Sequence, residues 1–351
     1  MKIILVTDAW APQVNGVVRN YTSLINVLTH RGHTVQIISP LEFQTLPCPT
    51  YPEIRLSLWP QRKIDRLLEQ AQPDAVHIAT EGPLGWAARH FCRKHKWPFS
   101  TCYHSKFPEY IHQRARIPLG LTYRMLQRFH GAASKTMVTN EDLQKELTQR
   151  DFQHLVRRRV GVDLKLFKPN FRPQSGVDKS FLDQTLKLPR PIFVCHGRVA
   201  SEKNLSNFIN MKLPGSKLVI GPGPLLEKYQ KTYPFEKTAT HFTGYLPDED
   251  LVRHIASADA FVFPSVTETF GFVQLEALAC GIPVAALPVT GPKAVLGESS
   301  AGVMNHDLQQ AALDALNINP QHCLERAKKF SWEDGADDFL EHLAPIEPLS
   351  C

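Results

Sequence analysis

Short apolar runs alternate with amphipathic segments along the first part of the chain. Runs rich in β-branched residues predict strands, and apolar side chains spaced three to four residues apart predict helices. The predicted strands cover residues 2–7, 34–39, 75–78, 99–103 and 135–139, and the predicted helices cover 17–28, 84–95 and 119–129. Because strands and helices alternate, the pattern predicts a parallel sheet with helices on both faces.

The same alternation resumes after a stretch at residues 160–191 that Pro169, Pro173 and Pro189 interrupt, and we place a domain junction there. Strands are predicted at 192–196, 217–220, 241–243, 260–264 and 283–286, and helices at 204–209, 225–229, 248–256, 271–280, 309–316 and 332–343. The predicted fold class is α/β, with two doubly wound, Rossmann-like domains facing a cleft, over residues 1–165 and 166–330. A C-terminal helix within 331–351 is expected to pack back across the junction.

The composition is that of an ordinary globular protein. The 351 residues are 43% hydrophobic, 21% charged and 9% aromatic, which excludes a disordered chain. Seven cysteines without a C-x-x-C pair indicate neither a disulfide framework nor a zinc site, and they fit a reducing cytoplasm. The N-terminal apolar run is too short for a signal peptide, and no stretch approaches the about 20 apolar residues that cross a bilayer. We therefore expect a cytoplasmic protein that is not integral to a membrane.

The net charge of +6 is unevenly distributed along the chain. Residues 1–165 carry 23 Lys and Arg against 13 Asp and Glu, whereas residues 166–351 carry 17 against 21. A basic half suits nucleic acid, an anionic membrane surface or an acidic substrate. Charge alone does not choose among these partners, nor between them and an ordinary basic surface.

Four loops that follow predicted strands carry candidate chemistry, because ligands of open α/β sheets bind at the carboxyl ends of the strands. The first loop contains Gly16 at a helix start, where the backbone could approach a ligand or simply turn. It is not the G-x-G-x-x-G of dinucleotide-binding dehydrogenases, which argues against an NAD-dependent oxidoreductase. Another loop places His104 after strand 99–103, where it could serve in acid–base or hydrogen-bonding work or be purely structural.

A third loop carries two cations in the C-terminal half. Gly197 and Arg198 end the strand at 192–196, and Lys203 lies at the start of the next helix. An arginine with its planar fork and a lysine as a point charge could together neutralise a diphosphate. The alternative is an ordinary solvated loop.

The fourth loop carries two carboxylates. Glu268 follows a strand, and Glu276 lies about one and a half turns inside the following helix. Glu276 could accept hydrogen bonds from a ribose, while Glu268 would lie nearer the group attached to the phosphate. Alternatively, a glutamate before a helix simply favours the helix dipole. The backbone amides that could hold phosphates at this helix start, with a glycine for close approach, belong to Thr269, Phe270, Gly271 and Phe272.

Together these motifs resemble the retaining glycosyltransferases of family 4, which have the two-domain GT-B fold, and the resemblance covers nearly the whole chain. The most specific element is the E-x7-E block from Glu268 to Glu276, supported by the Asn15-Gly16-Val17, Gly197-Arg198 and Glu202-Lys203-Asn204 motifs. The resemblance implies that Arg198 and Lys203 hold the donor diphosphate and Glu276 the ribose. It also implies that Glu268 and the following amides bind the donor sugar, with Gly16 and Gly197 on the donor and His104 at the sugar and the attacking hydroxyl.

Within that family, residues 47–56 and 103–110 are most similar to a branch that glycosylates diacylglycerol and related lipids, with some alpha-mannosyltransferases. The resemblance implies a hexosyltransferase that moves a sugar from a UDP- or GDP-sugar to a lipid hydroxyl, with retention through front-face attack. Arg198 and Lys203 would replace a divalent metal on the diphosphate, so we expect no metal and no cofactor. Alternatives are a soluble saccharide or polysaccharide acceptor, or a non-catalytic nucleotide-sugar-binding protein.

A basic, apolar stretch at residues 110–129 bears on the acceptor. We expect it to contact anionic lipid headgroups at the inner face of the cytoplasmic membrane rather than nucleic acid, and the run Arg157-Arg158-Arg159 is expected to add to this basic side. The alternative is a helix with one buried face and one solvated basic face. The arginines interleaved among apolar residues in this stretch are Arg114, Arg116, Arg124 and Arg128.

Overall fold

In the computed structural model the chain divides into two compact units. The first contains Met1–Gly161 and Trp332–Cys351, and the second contains Val162–Ser331. The structure describes residues 1–13, 15–48, 51–169 and 187–347, with the backbone alone at residues 51–53 and 114. The predictions for Pro173, for residues 49–50 of the lipid-branch motif and for the side chain of Arg114 therefore lie outside the described residues.

The first unit is built on a six-stranded parallel sheet with the strand order β2-β1-β5-β6-β7-β8, and two further strands pair as an antiparallel hairpin, β3-β4. The strands are β1 (Lys2–Val6), β2 (Thr34–Ile38), β3 (Thr45–Cys48), β4 (Tyr51–Ser57), β5 (Ala75–Ile78), β6 (Ser100–Cys102), β7 (Lys135–Val138) and β8 (Leu155–Arg157). The helices are α1 (Gly16–His30), α2 (Gln61–Ala71), α3 (Pro83–Lys94), α4 (Phe107–Ala115), α5 (Leu119–His130) and α6 (Glu141–Thr148).

The burial of β1 explains its continuous apolar sequence. Ile4 and Val6 pack into one hydrophobic cluster, whereas Ile3 and Leu5 pack into another. Alternate side chains of a strand point to opposite faces of its sheet, so both faces of this strand are covered by apolar groups. A strand with one solvated face would alternate apolar and polar residues instead.

The second unit repeats the architecture with the strand order β11-β10-β9-β12-β13-β14, again parallel throughout. The strands are β9 (Ile192–His196), β10 (Ser216–Ile220), β11 (Thr240–Gly244), β12 (Ala260–Phe263), β13 (Val284–Ala286) and β14 (Gly302–Met304). The helices are α7 (Leu205–Asn210), α8 (Leu226–Thr232), α9 (Phe235–Thr238), α10 (Asp248–Ala256), α11 (Phe272–Ala279), α12 (Thr290–Leu296), α13 (Leu308–Ala315) and α14 (Pro320–Ala327).

The last helix, α15 (Trp332–His342), completes the core of the first unit. Its Phe339 is buried in the same cluster as the β1 side chain Leu5. Ion pairs reinforce this packing, because Arg31 at the end of α1 lies 2.8 Å from Glu333 and Arg159 lies 2.7 Å from Asp338. The first unit is therefore made from two separate stretches of the chain.

The predicted fold class of two parallel α/β units is confirmed. Every predicted strand is present, with ends that agree to within one residue. Among the described residues, no helix has the length and apolar character needed to cross a bilayer. The elements that the sequence pattern did not predict include the hairpin β3-β4, the helices α2, α4, α6, α9, α12 and α14, and the short strands β8 and β14.

Candidate functional site

Several predicted site residues of the second unit lie on neighbouring loops. The strands β10, β9, β12 and β13 are adjacent in the sheet, so the loops that follow them emerge side by side at its carboxyl edge. Arg198 and Lys203 follow β9, and Glu268 follows β12. The two loops touch where the Asn204 side-chain amide donates to the carbonyl oxygen of Pro264 at 3.2 Å.

Glycines allow the loops after β9 and β10 to approach each other backbone to backbone. Gly221 has a φ of +132°, and a Cβ atom there would lie 2.1 Å from the carbonyl oxygen of Gly197. A Cβ atom on Gly223 would lie 2.6 Å from the amide nitrogen of Val199. Because this close approach excludes side chains, it fixes the backbone on both sides of Arg198.

The predicted diphosphate cation and the predicted sugar-binding carboxylate are in contact. Lys203 ends a short 3₁₀ turn, and its ammonium group pairs with the carboxylate of Glu268. Both side chains are partly exposed at the edge of the sheet. A diphosphate-linked sugar that reaches one of these groups therefore also meets the other.

The E-x7-E block forms the start of α11. Gly271, in the left-handed region at a φ of +86°, is the N-cap, and a Cβ atom there would lie 2.6 Å from the Gln274 side-chain nitrogen. Glu276 is 3% exposed and lies 3.4 Å from His196 Nδ1, at the end of β9. Thr269 and Phe270 are buried, whereas Gly271 and Phe272 are partly exposed. The exposed part of this block is thus the turn that begins the helix.

The carboxyl edge of the first sheet carries the other two predicted residues. Gly16 is the first residue of α1, and the Asn15 side chain accepts hydrogen bonds from the amides of Val17 and Val18, both at 3.0 Å. His104 lies two residues after β6 and is half-buried. These two residues belong to the first unit, whereas Gly197, Arg198, Lys203 and the Glu268–Glu276 block belong to the second.

The His104 ring is held by a tyrosine that the sequence pattern did not predict as a site residue. Tyr21 on α1 places its hydroxyl 2.8 Å from His104 Nε2 and 2.7 Å from His77 Nε2. Burial, together with the positive charge of Arg158, lowers the pKa of His104 to about 3. His104 is therefore neutral at physiological pH.

A second buried group at this edge, Asp8, was not predicted from the sequence. Its carboxylate accepts hydrogen bonds from the Thr80 hydroxyl and from the amides of Leu84 and Gly85 at the start of α3, at 2.9 to 3.3 Å. Burial raises the pKa of Asp8 to about 6, although these hydrogen bonds oppose the rise. The sequence signal was available, because Asp8 follows β1 by two residues.

The structure corrects the expectation for Arg158, the middle residue of the run Arg157-Arg158-Arg159, as part of a lipid-facing basic surface. Arg158 is 1% exposed and donates to the Asn20 side chain at 3.0 Å. Arg157 pairs with Glu141, and Arg159 pairs with Asp334 and Asp338. Arg157 ends β8 and Arg159 pairs with α15, and both side chains remain more than half exposed, so only Arg158 is withdrawn from the surface.

By contrast, α5 exposes a mixed apolar and basic face. Leu121 is 63% exposed, Met125 is 37% exposed, and Arg124 and Arg128 are exposed as well. Their spacing of three to four residues places these four side chains on one face of the helix. The opposite face, with Leu126, is buried.

Within the described ranges, no group of three or more His, Cys, Asp or Glu side chains is placed to hold a metal ion. Asp248 and Asp250, which have a D-x-D spacing, lie in the first turn of α10, where carboxylates stabilise a helix start. The expectation that the protein needs no metal stays a prediction.

Two family descriptions match the chain. The family described as "Glycosyltransferase Family 4" matches residues 14–165, and the family described as "Glycosyl transferases group 1" matches residues 190–318. The first match covers most of the first unit, and the second match covers most of the second unit.

Several curated proteins are similar in sequence. The sulfoquinovosyl transferase SQD2 of Arabidopsis thaliana is 29% identical over 82% of this chain, which spans 60% of that protein's length. A GDP-mannose-dependent alpha-mannosyltransferase of Mycobacterium tuberculosis is 25% identical over 99% of this chain and 97% of its own. An alpha-monoglucosyldiacylglycerol synthase of Streptococcus pneumoniae is 25% identical over 97% of this chain and 83% of its own.

Solved structures share the fold. A sucrose-phosphate synthase of Thermosynechococcus elongatus superposes with a TM-score of 0.73 at 20% identity, covering 97% of each chain. The Anabaena protein Alr3699/HepE, solved in complex with UDP-glucose, superposes with a TM-score of 0.69 at 16% identity, covering 97% of this chain and 98% of its own.

Proposed function

The chain belongs to glycosyltransferase family 4 and has the GT-B fold and a nucleotide-sugar donor, and on that premise we propose that it glycosylates diacylglycerol or another lipid hydroxyl with retention at the anomeric carbon. The main observation in support of the donor site is the contact between Lys203 and Glu268, on the loops beside the start of α11.

The leaving diphosphate is assigned to the edge of the second sheet. Arg198 and Lys203 supply two positive charges there, and the amides at the start of α11 supply hydrogen-bond donors and the positive end of a helix dipole. Such preorganised groups stabilise negative charge as it develops on a leaving group. Glu268, paired with Lys203, is the acceptor for donor-sugar hydroxyls, and Glu276 is assigned to the ribose.

The reaction that these residues support is a front-face displacement. The bond between the anomeric carbon and the diphosphate oxygen breaks, and the acceptor oxygen bonds to the same face of that carbon. The acceptor proton leaves with the diphosphate. No carboxylate nucleophile takes part in this scheme, and the two cations perform the charge neutralisation that a divalent metal performs in other enzymes of phosphate chemistry.

A lipid acceptor is supported by the exposed face of α5. Leu121 and Met125 would enter the boundary between headgroups and acyl chains, while Arg124 and Arg128 would meet anionic headgroups. His104, α4 and α5 all lie in the connection that follows β6. The proposed lipid-binding face and the residue assigned to the acceptor therefore belong to the same segment of the chain. One of the similar proteins is named for synthesis of a glucosyldiacylglycerol. The protein would then work peripherally at the inner face of the cytoplasmic membrane.

The test is sugar transfer by the purified protein, with a panel of UDP- and GDP-sugars presented to liposomes that contain diacylglycerol and anionic phospholipid. Parallel reactions contain EDTA, or soluble saccharides in place of liposomes. We expect an alpha-linked glycolipid, identified by its anomeric proton coupling in NMR, in yields that EDTA does not lower. Transfer to saccharides alone would replace the lipid acceptor with a soluble one. Donor binding without any transfer would indicate a binding protein.

A further inference from the structure

A chain of hydrogen bonds runs beneath His104 at the carboxyl edge of the first sheet. The Tyr21 hydroxyl lies between His104 Nε2 at 2.8 Å and His77 Nε2 at 2.7 Å. His77 continues the chain, because its Nδ1 lies 2.8 Å from Ser100 Oγ. The other ring nitrogen of His104, Nδ1, lies 3.7 Å from Cys102 Sγ.

The chain is shielded from solvent. Tyr21, His77 and Ser100 are buried, and the Phe339 ring of α15 packs edge-on against the His77 ring at a centroid distance of 4.9 Å. The other titratable or charged groups that act on these side chains are Arg158, Cys102, His130 and Glu81. Because Tyr21, His77 and Ser100 are buried, the protein sets the geometry of this inner part of the chain beneath the half-buried His104.

Both imidazoles are neutral in this environment. Burial and the charge of Arg158 lower the pKa of His77 well below its ordinary value and lower the pKa of His104 to about 3. A neutral imidazole carries one N–H group and one acceptor nitrogen. The Tyr21 hydroxyl has a single proton and also bonds to the Cys102 side chain, so it donates to at most one of the two imidazoles, and when it does so it accepts from the other.

This proton count couples the tautomers of the two histidines. If His104 carries its proton on Nε2, it donates to Tyr21, Tyr21 donates to His77 Nε2, and His77 Nδ1 donates to Ser100. If Tyr21 instead donates to His104 Nε2, every donor in the chain reverses, and His104 carries its proton on Nδ1. The state of His104 Nδ1, as acceptor or donor, is in this way coupled to the role of Ser100 through Tyr21 and His77.

We propose that Tyr21 and His77 are positioning residues that fix the orientation and the tautomer of His104, so that His104 acts in sugar transfer as a neutral hydrogen-bonding group and not as an acid or a base. The proposal rests on the proposed function, because it assigns how one residue of that reaction is held. No net proton enters or leaves the hydrogen-bond chain, so the proposed role needs no group that takes up or releases a proton. It chooses hydrogen bonding between the two roles that the sequence left open for His104.

The main test is Tyr21→Phe, which keeps the ring and removes both hydrogen bonds to the histidines. Tyr103→Phe is the matched control, because Tyr103 is equally buried in the same unit and its hydroxyl bonds to neither histidine. We expect Tyr21→Phe to lower kcat by about 10- to 100-fold, since a loosely held group costs reaction rate. The KM for the donor is expected to stay unchanged. Equal rates for the two variants would overturn the proposal.

His77 provides a conservative rescue. We expect His77→Leu, which removes the partner of Tyr21, to lower kcat, and His77→Gln, which supplies an amide near Nε2, to recover much of the loss. Wild-type kcat should show no titration assignable to His104 between about pH 5 and 8, in line with its neutral ring. A kcat step in that range that disappears in His104→Gln would contradict the neutral role.

A readout without turnover separates this proposal from the proposed function. The ¹⁵N chemical shifts of histidine rings distinguish the two tautomers from each other and from the imidazolium. We expect one tautomer for each of His77 and His104 in the wild type and a mixture in Tyr21→Phe. If the wild type transfers no sugar but shows these spectra, the hydrogen-bond chain stands and the proposed function fails. Unchanged spectra in Tyr21→Phe would contradict the proposal that Tyr21 fixes the tautomers of the two histidines.

Discussion

The polar groups at the carboxyl edge of the first sheet are buried side chains bonded to one another, whereas those at the edge of the second sheet are a partly exposed ion pair and backbone beside glycines. Tyr21, His77 and Asp8 represent the first kind, and Gly197 with the Lys203–Glu268 pair represents the second. Buried groups with satisfied hydrogen bonds hold a fixed geometry, while charges at a glycine-rich edge can meet a charged ligand. The same fold thus carries two different polar sites.

The largest effect is expected from removing the charge at the second edge. Lys203→Ala should lower kcat/KM for the donor by about 100- to 1000-fold, the range for losing one preorganised contact to developing charge. Lys212→Ala, an exposed lysine of the same unit, is the matched control and should leave the rate unchanged. Initial rates against donor concentration measure both variants. A loss of less than threefold for Lys203→Ala would remove this residue from the donor site.

A stability effect should distinguish the glycines of the second edge. Gly221→Ala meets the Gly197 carbonyl at a positive φ, so we expect a loss of about 3 kcal/mol or more from strain and overpacking together. Gly197→Ala has open space around its new Cβ and only the strain of a φ of +141°, so a loss of about 1–3 kcal/mol is expected. Urea unfolding measures both. If Gly197→Ala were the more damaging variant, the close approach of the two loops would be wrong.

The buried histidines of the first edge should make the protein sensitive to acid. The pKa of His77 is lowered in the folded state. Below about pH 6.5 the unfolded chain therefore binds a proton that the folded chain does not, and the free energy of unfolding decreases as the pH decreases. His77→Gln should reduce this slope by about 1.4 kcal/mol per pH unit. Asp8 acts in the opposite direction, because its raised pKa makes the folded state gain stability as pH falls from about 6.

Urea midpoints between pH 7 and 5 test this dependence. His90→Gln, at an exposed position of α3, is the matched control and should keep the wild-type slope. Asp8→Asn removes the opposing contribution, so its slope should be steeper than that of the wild type. An equal slope for His77→Gln and the wild type would show that this histidine is protonated in the folded protein.

The smallest effect concerns the exposed face of α5. Replacing Arg124 and Arg128 by Ala should weaken binding to anionic vesicles by about 1 kcal/mol for each arginine, with a dependence on salt. Arg62→Ala with Arg66→Ala, two exposed arginines on α2, is the matched control. Sedimentation with vesicles of phosphatidylglycerol and phosphatidylcholine measures both pairs. Equal losses for the two pairs would indicate a general charge effect and not a binding face.

The sequence placed residues of both edges after strands, but it did not reveal the side-chain contacts of the first edge, because of where those contacts lie in the chain. Arg198, Lys203 and Glu268 follow strands, and strand ends can be recognised from local pattern alone. The partners at the first edge are distant in sequence, with Tyr21 56 residues from His77 and 83 from His104. Only the folded sheet brings such residues together, so spacing cannot reveal them.

The same reasoning explains the elements that were missed. α2 buries Ile64, Leu68 and Ala71 at helical spacing. Three apolar positions among charged residues are too few to be recognised as a helix from the sequence alone. β8 has only three residues at the sheet edge, and Arg158, which directly follows it, resembles a surface charge because it stands in a basic run. Its burial depends on Asn20, which is 138 residues away.

The packing of α15 on the first unit also sets an order of events during biosynthesis. The second unit, Val162–Ser331, is translated in full before α15, and domains generally fold as units when their chain becomes available. Until α15 emerges, the nascent first unit lacks the Phe339 side chain that covers His77 and the β1 core. The part of the protein that is synthesised first therefore depends for its native core on a helix that is translated only after the whole second unit.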